Sequence, residues 1–243
     1  TSSVSADCAA KRNVAGSDVV LLMRQSNMSG WGEGYDADID GQNDPRIQQW
    51  SRDNKVITAS ERRLQHADHG RAGKRRVGMG TAFGRAYVKT LPANRNVLLV
   101  PTAYGATRLV NGPWSPGGNL LEDAVTLMEA ALASNRAAGT NCVAAVLWHQ
   151  GESDAGDGID QATYQSTWTN MINTLRSRIP AASEAPVFLG EFTPHHTCLQ
   201  ETERFGSQLS RRFEPSLTAF RSRQWRPLTV YRPIPLVPYT SMR

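Results

Sequence analysis

The sequence predicts an α/β fold, a parallel sheet covered on both faces by helices. Four continuous apolar runs, Val19–Met23, Val97–Pro101, Cys142–Trp148 and Pro186–Gly190, have the pattern of strands buried on both sides. The segments between them repeat apolar residues at helical spacing. Strands alternating with helices of this length imply βαβ units. A third observation concerns the ends of the runs. Trp148-His149-Gln150-Gly151-Glu152-Ser153-Asp154 packs a glycine and polar groups directly behind the third run, and Arg24-Gln25-Ser26-Asn27-Met28-Ser29-Gly30 follows the first and puts a serine at its tip. Strand ends are where open α/β sheets bind ligands.

Three helices are expected. Met79 to Lys89 carries Met79, Phe83, Ala86 and Tyr87 on one face. Leu120 to Ala133 carries Leu121, Val125, Met128 and Leu132, with Glu122 and Asp123 near its positive end. Tyr164 to Ile179 carries Trp168, Met171, Ile172, Leu175 and Ile179, and stops at Pro180. Gly30 to Gly78 is polar and rich in Gly and Asp, and reads as a long excursion over the strand ends. A chain of 243 residues fits one domain, here 1–243, with 199–243 as an atypical tail. Glu201 to Phe213 fits a helix; from Arg221 onward four prolines and scattered arginines define no element.

Composition narrows the function classes. Residues 204–243 hold eight Arg and one acid, while the rest of the chain carries 19 basic and 21 acidic side chains. The excess positive charge belongs to the tail, and a near-neutral body argues against nucleic acid as a partner. No apolar run approaches the ~18 residues of a membrane span, so no membrane partner is expected. No signal peptide is visible, and a start at Thr1 fits a processed, secreted chain and equally an artificial start. Oligomeric state is not readable. Cys8, Cys142 and Cys198 show no metal-ligand spacing; Cys142 fits a buried apolar position, and one disulfide among the three fits an oxidising compartment.

The strand ends carry the chemistry. Ser26 follows the first run; a serine hydroxyl needs a base to take its proton and donors for the oxyanion that forms. Its backbone N–H at a helix start supplies part of that oxyanion site, although a serine there is often only a helix cap. Gly105 follows the second run, where a glycine lets backbone N–H approach a substrate closely. Gln150 follows the third, and a carboxamide N–H is a good oxyanion donor. Three such groups on three strand ends favour an enzyme. His66, Asp68 and His69 have a spacing that could suit a metal, but lack a third convincing ligand beyond the histidines; a solvated or substrate-facing role is the expectation.

The block Gln25-Ser26-Asn27-Met28-Ser29-Gly30 resembles the nucleophile block of the SGNH (GDSL-like) hydrolase superfamily. It is most similar to the carbohydrate-esterase branch that holds acetylxylan esterases and sialate O-acetylesterases. The similarity runs through Asp44 to Trp50, Val77 to Phe83, the Gly105 region and Trp114 to Gly118, and is strongest at Trp148 to Asp154. The resemblance implies a three-layer α/β/α sandwich with a flavodoxin-like parallel sheet. It implies a serine esterase acting on acetylated carbohydrate without metal or organic cofactor. Ser26 would be the acylated nucleophile; the N–H groups of Ser26 and Gly105 and the amide of Gln150 would form the oxyanion hole. Glu152 would hold the loop or the base in place, and His149 would pack behind Gln150. Trp31, Tyr35 and Trp114 are candidates to stack on sugar rings.

Two departures accompany the resemblance. Arg24 stands where the family usually has glycine, and would crowd the turn or bind an anionic substrate. The family's base lies in a C-terminal Asp-x-x-His block, yet from Thr197 to Arg243 there is neither histidine nor aspartate. Three readings stay open. His195 or His196 serves as a relocated base; the chain binds an acetylated sugar without turnover; or a frameshift in a GC-rich gene has replaced the natural tail. An esterase for short acyl esters is a further alternative.

Overall fold

The computed structural model describes residues 5–32, 35–41, 44–61, 64–69, 77–134, 140–190 and 229–231. His195, His196, Cys198 and almost all of the 199–243 tail lie outside the described residues. In chain order the elements are α1 (Ala6–Ala10), β1 (Gly16–Arg24), α2 (Ser26–Ser29), α3 (Ala37–Asp40), β2 (Ile47–Trp50), β3 (Val56–Thr58) and α4 (Met79–Val88). They continue with β4 (Arg95–Pro101), α5 (Asn119–Ala133), β5 (Cys142–His149), α6 (Glu152–Gly156), α7 (Gln161–Arg178), β6 (Val187–Leu189) and β7 (Thr229–Tyr231).

The strands form one sheet in the order β3-β2-β4-β1-β5-β6-β7. The five inner strands are parallel; β3 and β7 pair antiparallel at the two edges. The four expected strands are all present. The polar excursion contributes β2 and β3 as well, and β2 pairs with β4 rather than with β1. Every residue of β1 is buried, as its place in the middle of the sheet requires.

Side chains along β1 alternate between the two faces, the period-2 rule of a strand. Val19, Leu21 and Met23 join the core under α5 and α7, with Leu121, Val125, Met128, Trp168 and Met171. Val20 and Leu22 join the core under α1 and α4, with Cys8, Met79 and Val88. Helices on both faces make a three-layer α/β/α sandwich. In β5 the alternation slips once: Val19 pairs with Val143 and Val20 with Ala145, so Ala144 is an extra residue and shares a face with Ala145.

The lower edge of the sheet is locked by polar and covalent links. Arg95 and Asp18, both fully buried, pair at 2.5 Å. Tyr87 donates to the same carboxylate at 2.6 Å, and Arg95 also donates to the carbonyls of Lys11, Val14 and Thr140. Burial, together with the Asp18 charge, pushes the Tyr87 phenol well above its ordinary range. Cys8 on α1 is joined to Cys142 on β5 by a disulfide. This settles which cysteines pair, which spacing alone left open. Ser5 caps α1 and donates to the Val143 carbonyl at 2.7 Å, a second tie between α1 and β5. Among the described residues no helix is long and apolar enough to cross a membrane.

Candidate active site

The site lies where β1, β4 and β5 end side by side. Beyond Arg24 the extended residue Gln25 leads into α2, whose first residue is Ser26. The turn closes at Gly30, whose φ of 96° is a left-handed conformation open to glycine at little cost. Gly78 lies against it: a Cβ on Gly78 would come within 3.1 Å of Gly30 Cα and of the Met28 carbonyl oxygen. The buried Glu61 carboxylate accepts the Gly78 N–H and so fixes that contact. Desolvation is the main cause that raises Glu61 from 4.5 to about 7.

Glu152, the first residue of α6, reaches across to the segment that carries Ser26. Its Oε1 accepts from Asn27 Nδ2 at 2.8 Å and its Oε2 accepts from Gln25 Nε2. Ser153 adds a hydrogen bond to Gln25 Oε1 at 2.9 Å. The residues on both sides of Ser26 are thereby tied to α6 through side chains rather than through the sheet.

β4 delivers Gly105. The Tyr104 N–H bonds the Arg24 carbonyl at 2.6 Å, aligning the two strand ends. A Cβ on Gly105 would lie 3.8 Å from Ser26 Cβ and 3.1 Å from Asp68 Oδ2. Gly105 and Ser26 thus face each other closely, and any larger residue would intrude on the carboxylate beside them. Ser26, Gly105 and Glu152 line one open cleft of about 650 Å³, together with Gln25, Trp31, Asp68, Ala106 and Ser153.

Gln150 is placed differently. Its amide nitrogen donates to Asp154 Oδ2 and, at 3.5 Å, to the Thr107 carbonyl, while its Oε1 accepts from the Tyr164 hydroxyl at 2.6 Å. The carboxamide expected to face the acyl oxygen is engaged by these partners, and Gln150 is not among the residues named as lining the cleft. The reason is Asp154, which is fully buried and also accepts the N–H groups of Leu109 at 2.9 Å and Val110 at 2.8 Å. Asp154 gathers the loops after β4 and β5 into one unit. The sequence reading missed this role, although Asp154 ends the motif that singled out Gln150. Burial pushes the Tyr164 phenol above its ordinary range.

Arg24 neither crowds the cleft nor faces it. It adopts φ 107°, a conformation that glycine takes freely, which explains the family's usual residue. Its side chain turns down into the core, with the guanidinium carbon 4.6 Å from the Trp148 ring centroid and 5.5 Å from that of Trp114. Nη1 donates to the Thr107 carbonyl at 3.2 Å; Nε and Nη2 have no hydrogen-bond partner among the described residues. Desolvation lowers Arg24 to about 9. Trp114 is fully buried and donates to Thr107 Oγ1 at 2.9 Å, so it belongs to the core and not to a sugar platform. Trp31, by contrast, is partly exposed and lines the cleft.

The histidines divide. His66 is buried and its Nδ1 accepts the Ala103 N–H at 3.0 Å, which occupies the lone pair a metal would need. Burial lowers it to about 3, so it is neutral. His149 is fully buried, and Gly190 packs against its ring so closely that a Cβ there would lie 2.2 Å from Cδ2. Cys8, Asp18 and Cys142 bring their donor atoms within 4.8 Å of one another. The disulfide, Arg95 and Tyr87 already engage them. His195, the expected base, lies outside the described residues.

A three-layer α/β/α sheet that presents a serine at the end of β1 and a glycine amide at the end of β4 has the layout of an α/β hydrolase. The family model described as carbohydrate esterase, sialic acid-specific acetylesterase, matches residues 16–217, and the chain belongs to that family. A curated Arabidopsis thaliana protein, "Probable carbohydrate esterase At4g34215", is 37% identical over 101 residues, which cover 41% of this chain and 36% of that protein. The chain therefore matches well under two thirds of that relative's length.

Two solved structures share the fold. "Crystal structure of NanS" superposes with a TM-score of 0.68 at 20% identity, covering 82% of this chain and 74% of that one. The X-ray structure of the Arabidopsis thaliana protein AT4G34215 gives 0.61 at 22% identity, covering 79% of each chain. At these identities the likeness concerns the fold alone.

Proposed function

We propose that the protein is a serine esterase that removes O-acetyl groups from carbohydrates through an acetyl-serine intermediate. The observation that carries this reading is the close approach of Gly105 to Ser26 in one open cleft, within a chain of the carbohydrate esterase family. Ser26 Oγ attacks the acetyl carbonyl carbon and its proton passes to a base. The sugar oxygen leaves with a proton, and water then releases acetate from Ser26. Backbone N–H groups of Ser26 and Gly105 stabilise the oxyanion.

Glu152 keeps the nucleophile block in register through Gln25 and Asn27. Gln150 braces the loops behind the cleft, and its amide would serve the oxyanion only after leaving Asp154. His195, which follows β6 in the sequence, is assigned as the base.

The test is acetate release from p-nitrophenyl acetate and from acetylated xylan. Ser26→Ala should abolish both, and His195→Ala should reduce both steeply. Release that survives Ser26→Ala would overturn the serine mechanism. Sugar binding without any turnover would identify a binding protein instead.

A further inference from the structure

Asp68 is the one cleft residue whose bonding is incomplete in a telling way. It is 3% exposed and lines the same cleft as Ser26. Its Oδ2 accepts the Gly105 N–H at 2.7 Å and the Ser29 hydroxyl at 3.2 Å. Its Oδ1 is buried and has no hydrogen-bond partner among the described residues. A carboxylate oxygen in that state is costly, because an ionised carboxyl offers several acceptor sites and burial removes water from them.

The position of Asp68 sharpens the point. It holds the same N–H that the proposed reaction needs for the acyl oxygen. An oxyanion arriving at Gly105 would meet a negative charge already there, which is unfavourable unless Asp68 gains a hydrogen bond in exchange. An O-acetylated sugar brings such a donor, the hydroxyl on the carbon next to the esterified one. A simple alkyl acetate brings none.

We propose that Asp68 is a specificity-determining residue that reads the hydroxyl neighbouring the acetyl ester. Asp68 caps the Gly105 N–H. In the complex the acyl oxygen takes that N–H and the neighbouring hydroxyl donates to Asp68. The inference rests on the acetylesterase reading above and adds to it a requirement for a vicinal hydroxyl, whichever sugar carries it.

Two esters isolate the effect: 2-hydroxyethyl acetate, which has the donor, and 2-methoxyethyl acetate, which lacks it. The wild type should favour the first by about tenfold in kcat/KM, the size of a hydrogen bond to a charged group. Asp68→Ala should bring the ratio to about one and hydrolyse the methoxy ester faster than the wild type does. Asp68→Asn keeps the shape of the side chain, guards against misfolding, and should also lose the preference. A wild-type ratio near one, or a ratio unchanged in both variants, overturns the proposal.

Binding supplies an arm independent of turnover. NMR titration of both esters into Ser26→Ala and Ser26→Ala/Asp68→Ala should show a hydroxyl preference in the first protein only; equal preference in both overturns the proposal. If the wild type cleaves neither ester, the esterase reading fails separately, and the titration still decides the role of Asp68.

Discussion

Glu152 Oε1 accepts a hydrogen bond from Asn27 Nδ2 at 2.8 Å, joining the start of α6 to the residue that follows Ser26. Its second oxygen takes the amide of Gln25, so one carboxylate clamps both neighbours of Ser26. In Glu152→Gln one acceptor becomes an NH2 group facing an amide donor, and one clamp bond becomes a clash. The expected result is a loss of about 1.5–3 kcal/mol in stability and at least about a tenfold fall in kcat, with the pH profile unmoved. Urea unfolding and acetate-release kinetics check it; kcat equal to wild type would remove Glu152 from the positioning of Ser26.

Asp154 should behave as a brace rather than a reactant. Asp154→Asn leaves one acceptor oxygen for Leu109 and Val110 and turns the other position into a donor facing the Gln150 amide. A buried Gln150 amide left without that acceptor costs about 1–3 kcal/mol. The unfolding free energy from urea titration should drop by that amount, and Asp154→Ala should drop it further.

Stability should fall off on both sides of mildly acidic pH, for two separable reasons. Glu61 has a folded value of about 7 against 4.5 when free. Its contribution is present below 4.5 and lost as pH rises through 7, at most about 3 kcal/mol. His66 has a folded value of about 3 against 6.5. Its contribution is present above 6.5 and lost as pH falls towards 3. Glu61→Gln should flatten the alkaline limb and His66→Asn the acid limb. Chemical denaturation at several pH values checks each, and a limb that survives its variant rejects the assignment.

Reducing the protein should weaken it globally. Cys8 and Cys142 are 134 residues apart in sequence, and a link across so long a loop restricts the unfolded chain by about 5 kcal/mol at most in the chain-entropy account. Dithiothreitol and Cys8→Ser should each lower the urea midpoint by a comparable amount, and their effects should not add. An unchanged midpoint would show that the link contributes nothing.

The strands that were legible in the sequence are those buried on both faces, because burial imposes an unbroken apolar run. β1 and β5 satisfy that condition throughout and β4 at all but one residue, whereas β6 is an apolar run of which only Val187 is buried. β2 is not such a run: Gln48 and Gln49 interrupt it, yet Gln49 is fully buried, and its Oε1 accepts the Gln65 N–H at 2.9 Å. A polar residue whose partner lies 16 positions away gives no local sign of being interior. β3 has three residues and leans on β2 alone.

The site divides in the same way. Ser26, Gly105 and Glu152 were readable because a strand end fixes where a residue stands. The direction of the Gln150 amide was not, because it is chosen by Asp154 and by Tyr164 on another helix. Asp68 meets Gly105 across 37 residues, a contact that neither spacing nor periodicity encodes. Arg24 was visible as an oddity, but only the packing of two indole rings shows where its charge goes.

That packing has a thermal consequence. A bulky residue held in a glycine-like backbone conformation and a guanidinium with donors unpartnered among the described residues both disfavour the folded state, and both are concentrated under the turn that carries Ser26. On warming, this turn should loosen before the strands separate, so activity should fade at a lower temperature than the circular dichroism signal of the whole domain.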